Sequence, residues 1–162
     1  MATVGQDFSP YAEWMDNTGV SRQSLIVLAD DYTAQAYIKS DQDDNQFTAF
    51  DPGAMNLSHH NKVTNESGIS IGIVSPDGRQ GMIEHAVQFS EAGIPFIFDP
   101  GQGMQMFDGE DLNRFLKQAT WLTLNDYEFQ LFSERTGKNA EEIAREVDAL
   151  VITRGAEGSI IH

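Results

Sequence analysis

Residues 69–98 read ISIGIVSPDGRQGMIEHAVQFSEAGIPFIF. The opening run, Ile69–Val74, is the near-continuous apolar stretch of a strand covered on both faces. Ser75-Pro76 breaks it and opens a helix. Met82, Ile83, Ala86, Val87 and Phe89 then recur at helical spacing, so one side of the segment is apolar, and Gly93 closes it. Ile94–Phe98 is apolar again and reads as a second strand. Strand, helix and strand in that order form a right-handed crossover unit whose two strands are parallel.

The same rhythm continues towards the C-terminus. Asp108 to Ala119 carries Leu112, Phe115, Leu116 and Ala119 at i, i+3, i+4 and i+7, the stripe of a helix lying on a core. Trp121–Leu124 reads as a strand, Asp126–Thr136 and Ala140–Val147 as helices, Leu150–Thr153 as a strand and Ser159–Ile161 as another. Alternation of this kind predicts an α/β fold with a mostly parallel central sheet.

Towards the N-terminus the texture differs. Ala2–Gly5 reads as the tail of a strand, and Ser9-Pro10 begins a helix, serine capping, that ends near Gly19. Between Ser24 and Phe50 three short β-rich runs, Leu25–Ala29, Ala34–Ile38 and Phe47–Phe50, are separated by Asp30-Asp31 and by Asp41–Asn45. Close spacing with turn residues between predicts antiparallel strands, inserted as a lid at one edge of the parallel sheet. Asn56 to Ser67 reads as a loop with a helical turn. The expected organisation is an α/β core over 1–23 and 56–162, with the lid and its following segment over 24–55. Both ends read as cut through an element, which leads us to expect exposed strand edges and self-association.

Composition narrows the classes of partner. The chain has 162 residues with 25 acids against 10 bases, a formal net charge of −15. Such a field repels a polyanionic backbone, so nucleic acid is not an expected partner. There is no cysteine, which removes disulfides, thiolate metal sites and cysteine nucleophiles together. Met1–Asn17 has neither a basic leader nor a long apolar run, and no stretch is long enough to span a bilayer. A cytoplasmic, membrane-free protein is expected. His59, His60, His85 and His162 fall into no metal-ligand spacing, and neither GxxxxGK[ST] nor GxSxG occurs.

Four stretches could carry chemistry. Asn125-Asp126-Tyr127-Glu128 follows a strand and opens a helix, the position where α/β sheets bind ligands. An amide and a carboxylate there can organise Mg²⁺ through its waters. The same spacing is also that of a capping box, and Asn139-Ala140-Glu141-Glu142 repeats it after a turn, where no ligand is expected. Thr153-Arg154-Gly155-Ala156-Glu157-Gly158 could admit a phosphate to its backbone, or could be a tight turn between strands. Asp99-Pro100-Gly101-Gln102-Gly103 lacks the third glycine of a dinucleotide fingerprint, since position 106 is Met106, which argues against a nicotinamide enzyme. Asp99 remains a candidate for a substrate-side loop. Asp41 to Met55 mixes amides with Phe47 and Phe50, the composition of a lid that covers a polar ligand, or of a solvated hairpin.

Together these stretches resemble a family. Val4-Gly5-Gln6-Asp7-Phe8 with Gly19-Val20 resembles the VGxDxxG…GV passage of ribokinase-type (PfkB) carbohydrate kinases, although the second family glycine is missing. Thr33-Ala34 through Asn45-Gln46 to Phe50 and Pro52-Gly53-Ala54-Met55 is similar to the lid of the bacterial adenosine-kinase-like branch. Asp99-Pro100, Asn125-x-x-Glu128 and Thr153-x-Gly155-x-x-Gly158 follow in the family's order. The resemblance implies a ribokinase-like three-layer sandwich with a β lid, ATP and Mg²⁺ as cofactors, and a nucleoside or sugar as acceptor. It implies that Asn125 and Glu128 hold Mg²⁺ through water, that Thr153, Gly155 and Gly158 line the nucleotide, and that Gln46, Phe50 and Asp99 lie on the acceptor side. The family's glycine-rich substrate passage and its GAGD motif, which carries the catalytic aspartate, have no match here; the base is expected beyond His162. A non-catalytic module that binds a nucleotide or a partner is the alternative.

Overall fold

The computed structural model describes residues 1–42, 46–63 and 68–162. Asp43, Asp44 and Asn45 of the expected lid turn and residues 64–67 of the expected polar loop lie outside the described residues. The chain divides into two compact units, residues 1–61 and 62–162.

In the first unit, strand β1 (Ala2–Gly5) leads through helix α1 (Ser9–Thr18) to strand β2 (Leu25–Leu28). β2 pairs with β1 in parallel, from Ala2↔Leu25 to Gly5↔Leu28. This corrects the expectation that Leu25–Ala29 belongs to the antiparallel lid. A parallel partner needs a long crossover, and α1 supplies one. Ser9 is the first helical residue and not the cap, which falls on Phe8 without a side-chain hydrogen bond. The antiparallel lid is therefore two strands, β3 (Gln35–Ser40) and β4 (Gln46–Asp51), paired from Gln35↔Asp51 to Ser40↔Gln46. After it, 3-10 turns run over Gly53–His60. They are tied to β1 by the Thr3 hydroxyl, which donates to the Ala54 carbonyl at 2.7 Å, and by the Asn61 amide, which donates to the Ala2 carbonyl at 2.7 Å.

The second unit is the predicted alternation. It runs β5 (Gly72–Val74), α2 (Arg79–Glu91), β6 (Phe96–Phe98), α3 (Gly109–Gln118), β7 (Trp121–Asn125), α4 (Asp126–Thr136), α5 (Ala140–Ala144), β8 (Ala149–Thr153) and β9 (Ser159–Ile161). The sheet order is β5-β6-β7-β8-β9, with the first four strands parallel and β9 antiparallel to β8. Several elements are shorter than read; β6 begins at Phe96 instead of Ile94, and α5 ends at Ala144 instead of Val147. Ile69–Val74 forms strand only from Gly72, and Ile69, Ile71 and Ile73 stay exposed. Val74 is buried while Ile73 is exposed, so the strand is covered on one face and not on both. Helix α2 begins at Arg79, capped by extended Gly78, so Ser75–Gly78 is left as a loop at the end of β5.

The core explains why the pattern folds this way. Phe96, Phe98, Leu122, Leu124 and Leu150 on the strands meet Met82, Ala86, Leu112, Phe115, Leu116, Phe132 and Ile143 on the helices, all buried. Phe115 stacks on Phe98 at 4.2 Å between centroids and meets Phe107 edge-on at 5.0 Å. Burying one such side chain contributes about 1.5–3 kcal/mol. α3 starts on its sequence signal: the Asp108 carboxylate accepts from the Asp111 N–H at 2.9 Å.

Candidate functional site

The four parallel strands of the second unit end on one edge, at Val74, Phe98, Asn125 and Thr153. That edge is stepped. Val74 is level with Phe98, and Phe98 with Leu122, whereas β7 and β8 run on together to Asn125↔Thr153. Three further residues of strand carry Asn125 and Thr153 roughly 10 Å past the ends of β5 and β6. As register partners in a parallel pair, the two sit side by side on one face.

Asn125 opens α4 with a complete capping box. Its side-chain oxygen accepts from the Glu128 N–H at 2.8 Å, and the Glu128 carboxylate accepts from the Asn125 N–H at 2.9 Å. Asn139 and Glu142 repeat the arrangement at 3.0 and 2.9 Å at the start of α5. Hydrogen bonding alone does not separate the two boxes; location does. The first lies at the carboxyl edge of the sheet, where the cap uses one Glu128 oxygen and leaves the second outside the box.

Asp99 shares that space. It follows β6, and its N–H donates to the Val74 carbonyl at 2.9 Å, which joins the ends of β5 and β6. Burial holds its carboxyl above the usual carboxylate range, and the negative charge of Glu128 pushes it the same way. Asp99 and Glu128 thus each follow the carboxyl end of a neighbouring parallel strand, β6 and β7. A hydrated divalent cation fits this donor set, because Mg²⁺ keeps most of its waters and needs few protein groups. Among the described residues no cluster of three or more His, Asp or Glu forms a dedicated metal cage.

Thr153 to Gly158 form the β8–β9 turn. Gly155 and Gly158 have φ of 55° and 88°, a backbone that favours glycine. The Arg154 N–H donates to the Gly158 carbonyl at 2.7 Å, the Gly158 N–H donates to the Gly155 carbonyl at 3.2 Å, and Arg154 pairs with Glu157. Both glycines are thus used by the turn, which presents an exposed backbone beside Thr153.

The remaining sequence candidates lie in the first unit. Gln46 pairs with Ser40 and Phe50 with Ala36, so both project on the same face of the β3–β4 ribbon as Ile38 and Thr48, and both are exposed. The start of β3, with Gln35, Ala36 and Tyr37, borders a cleft of about 530 Å³ that Asp7, Phe8, Tyr11 and Thr33 also line. Asp7 and Thr33 are paired at this cleft. Asp7 accepts from the Thr33 N–H and from the Thr33 hydroxyl, each at 2.8 Å, and these bonds hold its carboxyl below the ordinary value of 3.8. No local pattern announces a contact between residues so far apart in sequence. No described helix is long and apolar enough to cross a membrane.

The family model of the pfkB carbohydrate kinases matches residues 1–162. The chain belongs to that family. The nucleoside kinase of Burkholderia thailandensis, solved in complex with inosine, superposes with a TM-score of 0.94 at 50% identity, over 99% of this chain and 54% of that one. The same enzyme in an ADP-inosine complex gives 0.92 at 49%, over 100% and 51%. The nucleoside kinase of Methanocaldococcus jannaschii is 28% identical over 100% of this chain and 54% of its own length. Its structure, described as an archaeal member of the ribokinase family, gives a TM-score of 0.92 at 26% identity over the same shares. The fold is therefore the expected ribokinase-like α/β fold, with a mostly parallel sheet and a small antiparallel one. The chain spans about half the length of these relatives.

Proposed function

We propose that this pfkB-family chain contributes the nucleotide side and the lid of an ATP-dependent kinase that phosphorylates the primary hydroxyl of a nucleoside. The observation that carries the reading is the stepped carboxyl edge, where Asn125, joined to Glu128 in a capping box, lies level with Thr153 beyond the end of β6. The inosine and ADP-inosine complexes of the Burkholderia relative support a purine nucleoside as acceptor over a free sugar.

In this reading Asn125 and the outer oxygen of Glu128 orient the waters of Mg²⁺. Thr153 and the exposed peptides of Gly155 and Gly158 line the nucleotide, while Asp99 faces the acceptor. The lid is the β3–β4 ribbon, Gln35–Asp51 without Leu25–Leu28, and it carries Gln46 and Phe50 on one exposed face. Bound Mg²⁺ would supply charge neutralisation at the phosphates. Phosphoryl transfer depends chiefly on positioning and charge stabilisation, and these residues provide the positioning. The sequence holds no Gly-Ala-Gly-Asp, so residues 1–162 offer no base of that type.

Calorimetric titration with ATP, with and without MgCl₂, tests the proposal. Mg²⁺-dependent binding that weakens about tenfold in Glu128→Gln, a loss of about 1.4 kcal/mol, is expected. The 162 residues alone should show no turnover on inosine or adenosine. No binding of ATP, or binding indifferent to Mg²⁺ and to Glu128→Gln, would overturn it and favour a partner-binding module.

A further inference from the structure

The loop between Asp99 and α3 is short of regular structure, yet it is held from two sides. It folds as 3-10 turns over Gly101–Met106, with Met104 and Phe107 buried. Arg135, near the end of α4, directs one guanidinium nitrogen at two of its carbonyls, Met104 at 2.7 Å and Phe107 at 2.6 Å. From the other side the Nε of Arg79, in the first turn of α2, donates to the Met106 carbonyl at 3.1 Å. The Arg79 guanidinium pairs with Asp111 and lies 5.7 Å over the Phe107 ring. Three carbonyls of one loop thus receive charged donors, the stronger class of hydrogen bond.

The main chain closes the same contact. A Cβ on Gly109 would stand 2.1 Å from the Arg135 carbonyl oxygen, so the start of α3 can lie against the end of α4 only with glycine there. The cleft of about 440 Å³ between the two arginines is also lined by Asp108 and Asp111. Two acids balance two bases, so the cleft has no excess charge to recruit an anion. The arginines serve the loop.

We infer that Arg135, seconded by Arg79, is a positioning residue: it fixes the 101–107 loop and through it the placement of Asp99 at the carboxyl edge. The connection is short. The Gly103 N–H donates to the Pro100 carbonyl at 2.8 Å, one residue after Asp99, and the Phe107 N–H donates to Met104 at 3.2 Å at the far end. Releasing the carbonyls of Met104 and Phe107 frees the loop at the end away from Asp99, and the slack reaches Asp99 through the 3-10 turns and the Gly103–Pro100 hydrogen bond. Only the acceptor role of Asp99 rests on the function proposed above; the clamp itself does not.

The test uses Arg135→Gln and Arg135→Lys in the 162-residue chain, with Arg79→Gln as a second, independent release of the loop. Amide hydrogen exchange is read at Gly103 and Phe107, with Leu124 and Leu150 of the sheet as references. Arg135→Gln should speed exchange at Gly103 and Phe107 at least tenfold while the sheet amides keep their rates, and Arg135→Lys, which retains a charged donor, should restore most of the protection. Unchanged exchange at Gly103, or loosening spread equally over the sheet, overturns the inference. Inosine and MgATP titrations add the functional arm. Arg135→Gln should weaken inosine several-fold and leave MgATP unchanged; equal weakening of both would mean a merely structural role and overturn the positioning claim. If the unaltered chain binds neither ligand, the proposed function fails, and the exchange data alone uphold or overturn the clamp.

Discussion

The two capping boxes allow a matched experiment. Asn125→Ala and Asn139→Ala each remove a side-chain oxygen that accepts from a backbone N–H three residues on, at 2.8 and 3.0 Å. Each also leaves a glutamate that accepts from the cap residue's own N–H. As caps the two are alike, so each substitution should cost about 1 kcal/mol. For a chain of this size that is a fall in Tm of roughly 2–4 °C. Only Asn125 ends a parallel strand at the stepped edge, level with Thr153. Thermal unfolding with and without MgATP therefore separates cap from site. Without ligand both variants should fall by a similar amount. With ligand, Asn139→Ala should keep the full stabilisation of the unaltered chain. Asn125→Ala should lose about 1.4 kcal/mol of it, the equivalent of a tenfold weaker Kd. Equal ligand-induced stabilisation in both variants would refute the reasoning: Asn125 would then be a helix cap like its twin, and the metal-orienting role would go.

Three further outcomes follow from particular contacts. Phe115→Ala removes a fully packed ring that touches Phe98 and Phe107, and should cost about 3–5 kcal/mol in thermal or urea unfolding; a loss under about 1 kcal/mol would contradict the packing. Asp99 holds its proton more tightly folded than unfolded, so its contribution to stability is full below the unfolded value and is lost as pH rises through the folded one. In metal-free buffer Asp99→Asn should therefore raise Tm near neutral pH, with the gain shrinking on acidification, and a gain that grows towards acid would be the wrong sign. Asp7 is shifted the other way, chiefly by the Thr33 N–H and then by its hydroxyl, so its contribution is present above 3.8 and disappears as pH falls through the lowered value. Thr33→Val keeps the N–H and deletes the hydroxyl, and NMR titration of the Asp7 carboxyl should show it move part of the way back; no movement would remove the hydroxyl from the account.

Much of this was legible in the residues. The stripe Leu112, Phe115, Leu116 and Ala119 and the boxes at Asn125 and Asn139 specify helices and their starts within a few positions, because periodicity and capping are local interactions. For the same reason the rhythm from Ile69 to Thr153 was enough to give parallel crossovers. Pairing partners were not legible. Leu-Ile-Val-Leu at 25–28 reads the same in an antiparallel lid as in its actual place beside Ala2–Gly5. A short apolar run records a strand but not which strand lies next to it or in which direction. The step that carries Asn125 and Thr153 past Phe98, the hydrogen bonds of Asp7 to Thr33 and the two arginines on the 101–107 loop are likewise long-range facts. They arise when distant segments are brought together by burial of the shared core, and no window of the sequence contains both members of any such contact.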